Sequence, residues 1–235
     1  MHTANSWRAL PRAAAIVVPV LLFFACLQLH GSRANADDPP RFADDKEPEP
    51  RSLKPDEKRR DYAVIEAALI DLTDPKSPVN ANTVRNGRVG KYIVLGPKTS
   101  RTVRPLSREM LPHLAGEENG QTIPDEIGDD LRRRNQGGPA SLADFHSDKA
   151  PVRIRDVYKE LEGSFGLEFA ENFWERYRES WGYAYAYLPG YSKDGEMAVV
   201  ILEVGPSPHG SEVTYLLVKS GGGWKVKWRN QHFWG

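Results

Sequence analysis

Met197-Ala198-Val199-Val200-Ile201-Leu202 carries an apolar side chain at every position, and Glu203-Val204 leads it into Gly205. A strand with one wet face alternates. An unbroken apolar run of this length, bounded by turn residues, predicts a central strand covered on both faces. Before it, Lys193-Asp194-Gly195 offers a left-handed position for a tight link. After it, Gly205-Pro206-Ser207-Pro208-His209-Gly210-Ser211 cannot continue a ladder.

Further out on either side the period becomes two. Tyr183, Tyr185 and Tyr187 fall on one face, with Trp181 in the same phase, and Ala184, Ala186 and Leu188 on the other. Val213, Tyr215 and Leu217 oppose Thr214, Leu216 and Val218. Trp224, Val226 and Trp228 alternate with Lys225, Lys227 and Arg229, after a reversal at Gly221-Gly222-Gly223. Links this short join antiparallel neighbours, so a four-stranded C-terminal meander is expected.

Phe169, Phe173 and Tyr177 recur every four residues with Trp174 beside them, which lays a helical aromatic stripe over the meander. From Phe165 onward lie 15 of the 23 aromatics, so the main core belongs here. Each buried aromatic contributes roughly 2–3 kcal/mol of apolar burial. Upstream, Pro55-Asp56-Glu57 is a helix-start signal, followed by Tyr62, Ile65, Leu69 and Leu72 at helical spacing. Tyr92-Ile93-Val94-Leu95 reads as a short buried strand whose best partner is the C-terminal sheet. Short helices are expected around Met110 to Leu114 and around Ile127 and Leu131. Val152 and Ile154 suggest a brief strand. The expected class is α+β: helices packed on one face of a twisted antiparallel sheet.

Phe173-Trp174, Gly190-Tyr191-Ser192-Lys193-Asp194-Gly195 with Ala198-Val199-Val200, Tyr215-Leu216-Leu217-Val218-Lys219 and Gly223-Trp224-Lys225-Val226 together resemble a family of uncharacterised bacterial envelope or secreted proteins. The resemblance is specific from Glu171 to Trp228 and looser back to about Asp61. Members of that family often carry a Gly- and Cys-rich loop where this chain has Gly205 to Ser211 without cysteine, a departure that puts any redox or metal role for the loop in doubt. The resemblance implies a fold and an exported address, and no activity. The nearest named architecture is a cone-shaped sheet of the nuclear-transport-factor-like or cystatin-like kind.

The N-terminus supports that address. Arg8 and Arg12 precede an apolar run from Ala13 to Leu29, and Ala34-Asn35-Ala36 places small residues where a signal peptidase reads them. The layout predicts a secretory signal over 1–36, cleaved after Ala36. A retained membrane anchor and a lipidated Cys26 are the alternatives, with Pro19 inside the run weighing against the anchor. Residues 37–54 are rich in proline and charge and read as a disordered linker, followed by a single domain over 55–235. Cys26 is the only cysteine, so a cleaved chain would hold no disulfide.

The formal net charge is +0, and loss of residues 1–36 removes three arginines and no acid, leaving −3. Nothing in that balance favours nucleic acid. Arg132-Arg133-Arg134 beside Asp129 and Asp130 reads as a solvated helix face. Contact with a membrane is expected only through an uncleaved N-terminal segment.

No motif specifies a reaction. The sequence lacks a His-Glu-x-x-His, a Walker-type glycine loop and a Gly-x-Ser-x-Gly elbow. His113, His146, His209 and His232 are scattered without ligand spacing, so neither a metal nor a cofactor is expected. Glu203 and His209 are the weak catalytic candidates; Glu203 faces the same side as Met197, Val199 and Ile201. The bland reading of Glu203 is a solvated strand end. Tyr183, Tyr185, Tyr187 and Trp228 are the ligand-binding candidates. Exposed, the tyrosine row is a stacking platform for sugar rings or a partner's apolar surface; under the Phe169–Tyr177 helix it is core. The reading that results is an exported, non-enzymatic domain binding a protein or a glycan of the cell envelope. A small cofactor-free enzyme with its site in the concave mouth of the sheet, and a purely structural module, are the alternatives.

Overall fold

The apolar run becomes β5 (Met197–Gly205), an interior strand of a seven-stranded sheet. The computed structural model describes residues 49–80, 90–100, 106–206 and 211–233, all belonging to the unit Glu47–Gly235. The expected signal cleavage at Ala36, most of the 37–54 linker, His209 and Trp234 lie outside the described residues.

The other strands are β1 (Tyr92–Leu95), β2 (Val152–Ile154), β3 (Ser180–Ala186), β4 (Gly190–Tyr191), β6 (Ser211–Ser220) and β7 (Gly223–Phe233). Their order is β2-β1-β3-β5-β6-β7, with the short β4 also on β5. The antiparallel meander β3-β5-β6-β7 is present as the turn chemistry predicts. β1 joins the meander as expected, but it runs parallel to both β2 and β3. The sheet is therefore mixed. The chain leaves β1 through a long excursion before returning as β3, and only such a connection permits parallel neighbours.

The helices are α1 (Pro55–Thr73), α2 (Leu111–Ala115), α3 (Asp125–Asn135), α4 (Val157–Glu160) and α5 (Gly166–Arg176). The α+β class holds, while the helices lie against both faces of the sheet instead of one. Val64, Ile65, Ala68 and Leu69 of α1 pack with Ala198, Val200, Leu202, Val213, Tyr215 and Leu217. On the opposite face, α2 and α3 put Leu111, Leu114, Ile127 and Leu131 against Val199, Ile201 and Leu216. Phe173 of α5, with Tyr177 and Val157, covers Tyr183 and Tyr185 beside them. A strand apolar on both sides needs a layer on each, and the sequence divides its helices accordingly.

Two bulges reverse side-chain phase. Between the pairs Tyr92–Ser180 and Val94–Tyr183 the register shifts, and Gly182 takes φ +133. Trp181 consequently packs on the α1 face, away from the tyrosines whose phase it shares in sequence. A second shift lies between Leu216–Trp228 and Leu217–Val226. It leaves Trp224 and Val226 on the α1 face and turns Trp228 toward α2 and α3. Each inserted residue inverts everything beyond it, because the pleat has a period of two.

Two further expectations change. Leu53 is buried with Ala140 and Leu188, and Arg51 bonds through its backbone to Pro139 and Ser141, so the linker ends before Arg51. Arg134 is no part of a solvated face. It is buried and grips Asp61 of α1 through two bonds of 2.9 and 2.8 Å. The Tyr191 hydroxyl also donates to Asp61, at 2.8 Å. A buried charge persists only with such partners, and this one ties α1, α3 and β4 together.

Candidate functional site

Tyr183, Tyr185 and Tyr187 do share a face, and all three are buried. Phe173 meets Tyr183 edge-on with ring centroids 5.5 Å apart, and Tyr158 of α4 stacks on Tyr185 at 5.0 Å. Tyr158 also stacks on Phe169, at 5.6 Å, which places it between two rings. Of the two readings of the row the buried one holds and the open platform does not: the α5 stripe needs an apolar surface, and the tyrosine rings provide it. Trp228 is half-buried against α2 and α3, so it too forms no continuation of an exposed row.

The hydroxyls of Tyr158, Tyr185 and Tyr187 end at carboxylates, and that of Tyr183 meets the Tyr158 hydroxyl. β-pairing sets Glu203 opposite Tyr185 on one side and Glu212 on the other, and Glu212 opposite His232. Ser100 donates to Glu203 Oε2 at 2.9 Å, and Tyr158 donates to Glu203 Oε1. The Tyr158 and Tyr183 hydroxyls lie 3.2 Å apart. Tyr185 donates to Asp156 at 3.1 Å, and Tyr187 to Glu212 at 2.9 Å. Lys98 lies 3.7 Å from Asp156. Glu203 is neither a bare solvated strand end nor an open base. Both its oxygens are occupied by hydroxyl donors.

Burial is the main influence on the phenols. It pushes the Tyr183 hydroxyl up to about 12, with the Glu203 charge adding and the Tyr158 hydrogen bond opposing. Tyr158 is raised by burial, then by Tyr183 and Glu203; Tyr185 by burial and Asp156; Tyr187 by burial and Glu212. All four stay protonated at ordinary pH and act as donors. The cluster holds the sheet face to α4 and supplies no phenolate nucleophile.

At the start of α5 the surface changes character. Phe165 is 80% exposed and Leu167 68%, and Tyr158 shows 46% although its hydroxyl is bonded inward. Phe165 occupies the N-cap of α5, where a side chain with an acceptor is favoured, and it makes no capping bond. Ser164, which could cap, donates instead to the Leu161 carbonyl at 2.7 Å. Gly166, between the two exposed side chains, takes φ +56, a left-handed conformation that glycine adopts without strain. A local rule broken without a gain in packing marks a functional position more often than a structural one.

Sequence reasoning picked Glu203 and missed Ser100, Tyr158, Asp156 and Glu212. Glu212 was within reach, since folding the 203–212 hairpin symmetrically about its loop pairs the two glutamates. The others arrive from elements far away in the chain and left no local signal. Two clefts, of about 300 and 360 Å3, lie elsewhere, one beside Leu111 and Gln121 and one beside Tyr92 and Arg153. Among the described residues no group of three His, Cys, Asp or Glu could hold a metal ion, and no helix is long and apolar enough to cross a membrane. No family model, curated protein or solved structure matches the chain.

Proposed function

We propose that this is an exported, non-enzymatic domain that binds a protein of the cell envelope through the surface of Phe165 and Leu167. The observation that carries the reading is the exposure of Phe165 and Leu167, two large apolar side chains at the start of α5, the helix whose Phe173 closes the aromatic layer. Their exposed area is on the order of 250 Å2, which makes an anchor for a partner and falls short of a whole interface of about 1,600 Å2. A protein is favoured over a glycan because the tyrosine faces that would stack on sugar rings are covered, Tyr158 on both sides. Export is supported by the Arg8-to-Ala36 pattern and by the envelope-family resemblance.

A cofactor-free enzyme is the second reading, because Glu203 stands beside Ser100 and Tyr158. Its carboxylate is already satisfied and its phenols are held protonated, so the set lacks a group poised to accept a proton from a substrate. A benzophenone side chain placed at Phe165 tests the first reading in the cells that make the protein. The expected result is a discrete protein adduct at Phe165 and none at the distant Lys225. Equal labelling at both positions, or no protein adduct at either, would overturn it.

A further inference from the structure

We infer that the segment seated on Phe165 and Leu167 is a cationic amphipathic helix of the partner protein, an inference that rests on this surface being the binding site. Residues 159–171 contain Glu160, Glu162, Glu168 and Glu171 against the single cation Lys159. Glu160 is already held by Arg176 at 2.8 Å and by Arg155 at 3.9 Å. Glu162, Glu168 and Glu171 are exposed and form no ion pair among the described residues. Glu171 lies one helical turn beyond Leu167 on the same side of α5, Glu168 follows Leu167 directly, and Glu162 precedes Phe165 by three residues, so the carboxylates flank the apolar pair along the chain. Glu168 also suits the positive end of α5; Glu162 and Glu171 have no such structural reason.

An apolar occupant without charge would strip water from these carboxylates and give nothing back. An anionic lipid surface would be repelled by them. A helix that carries Lys or Arg beside a leucine stripe meets both demands, filling the anchor with apolar groups and pairing the carboxylates. Charge flanking the anchor sets approach and selection more than final tightness, so the complex should weaken with salt.

The full chain is titrated with a synthetic Leu/Lys amphipathic peptide, with its Leu/Glu counterpart, and with vesicles containing phosphatidylglycerol. Binding of the Leu/Lys peptide alone is expected. It should fall by about 10-fold or more in Glu162→Gln/Glu168→Gln/Glu171→Gln and vanish in Phe165→Ser/Leu167→Ser, with both variants melting like the parent. Equal binding of the Leu/Glu peptide, an unaffected triple variant, or vesicle binding lost in Phe165→Ser/Leu167→Ser would each overturn the inference. If Phe165 still cross-links a protein when the three glutamates are neutralised, the surface stands and only the charge selection falls. Absence of any adduct at Phe165 removes the surface itself.

Discussion

Replacing Arg134 with methionine should be the most damaging single change outside the apolar core. Asp61 is completely buried, and Arg134 exposes 7% of its side chain, so their two hydrogen bonds are shielded from water. Methionine keeps the volume and removes the guanidinium. Asp61 would then retain the Tyr191 hydroxyl at 2.8 Å and the half-exposed Arg60 at 3.9 Å. The Pro189 carbonyl, which Arg134 also serves, would lose that donor. Stranding one member of a buried pair costs about 3–5 kcal/mol, a large share of a domain's stability of roughly 5–15 kcal/mol. Denaturant unfolding followed by tryptophan fluorescence should show the midpoint falling with an unchanged slope. Asp61→Leu combined with Arg134→Met should recover most of the loss, because no charge is then left without its partner. A single-variant cost below about 1 kcal/mol, or a double variant as unstable as the single, would refute the assignment of this pair as the clasp between α1 and α3.

The buried phenols predict alkaline instability. The folded chain holds the Tyr183 proton from pH 10.0 up to about 12, where the unfolded chain releases it, so stability is full below pH 10 and falls as pH rises through that window. The loss is about 1.4 kcal/mol per pH unit for each such tyrosine, measurable by denaturant melts at stepped pH; a flat profile there would contradict the buried row. Gly182→Ala should cost more than about 2 kcal/mol, since φ is +133 and a Cβ would meet the Gly205 carbonyl oxygen. Melting unchanged from the parent would show that the bulge is dispensable. If the N-terminal segment is a cleaved signal, mass spectrometry of the protein from its natural host should find a chain beginning at Asp37; an intact Met1 would count against it.

What could be read in the sequence was whatever neighbouring residues decide. Met197 to Leu202 announces an interior strand without reference to any other part of the chain, and the glycines at 195 and 221–223 mark two places where the chain must reverse. Side-chain phase along β3 and β7 was legible only as far as the bulges. Trp181 and Trp228 are inverted by single inserted residues that composition does not distinguish from ordinary strand positions. Arg134 sits in a basic run whose local pattern is that of a wet helix face, and its partner lies 73 residues away. The Glu203 cluster fails to show for the same reason, because Ser100 is 103 residues distant and Tyr158 comes from a separate helix. Phe165 was legible as an aromatic but not as an exposed one, since neighbouring residues do not reveal whether another element covers it.

The placement of α1 has a consequence for how the molecule is made. Its greasy side rests on Ala198, Val200, Leu202, Val213, Tyr215 and Leu217, and β1 completes its ladder against β3. A nascent chain leaving the ribosome displays Val64, Ile65, Ala68 and Leu69 long before the surface that shelters them has been synthesised. Folding therefore closes late, at the step when the final hairpin emerges, and every shortened product is left with a sticky ridge and no bed to lie in.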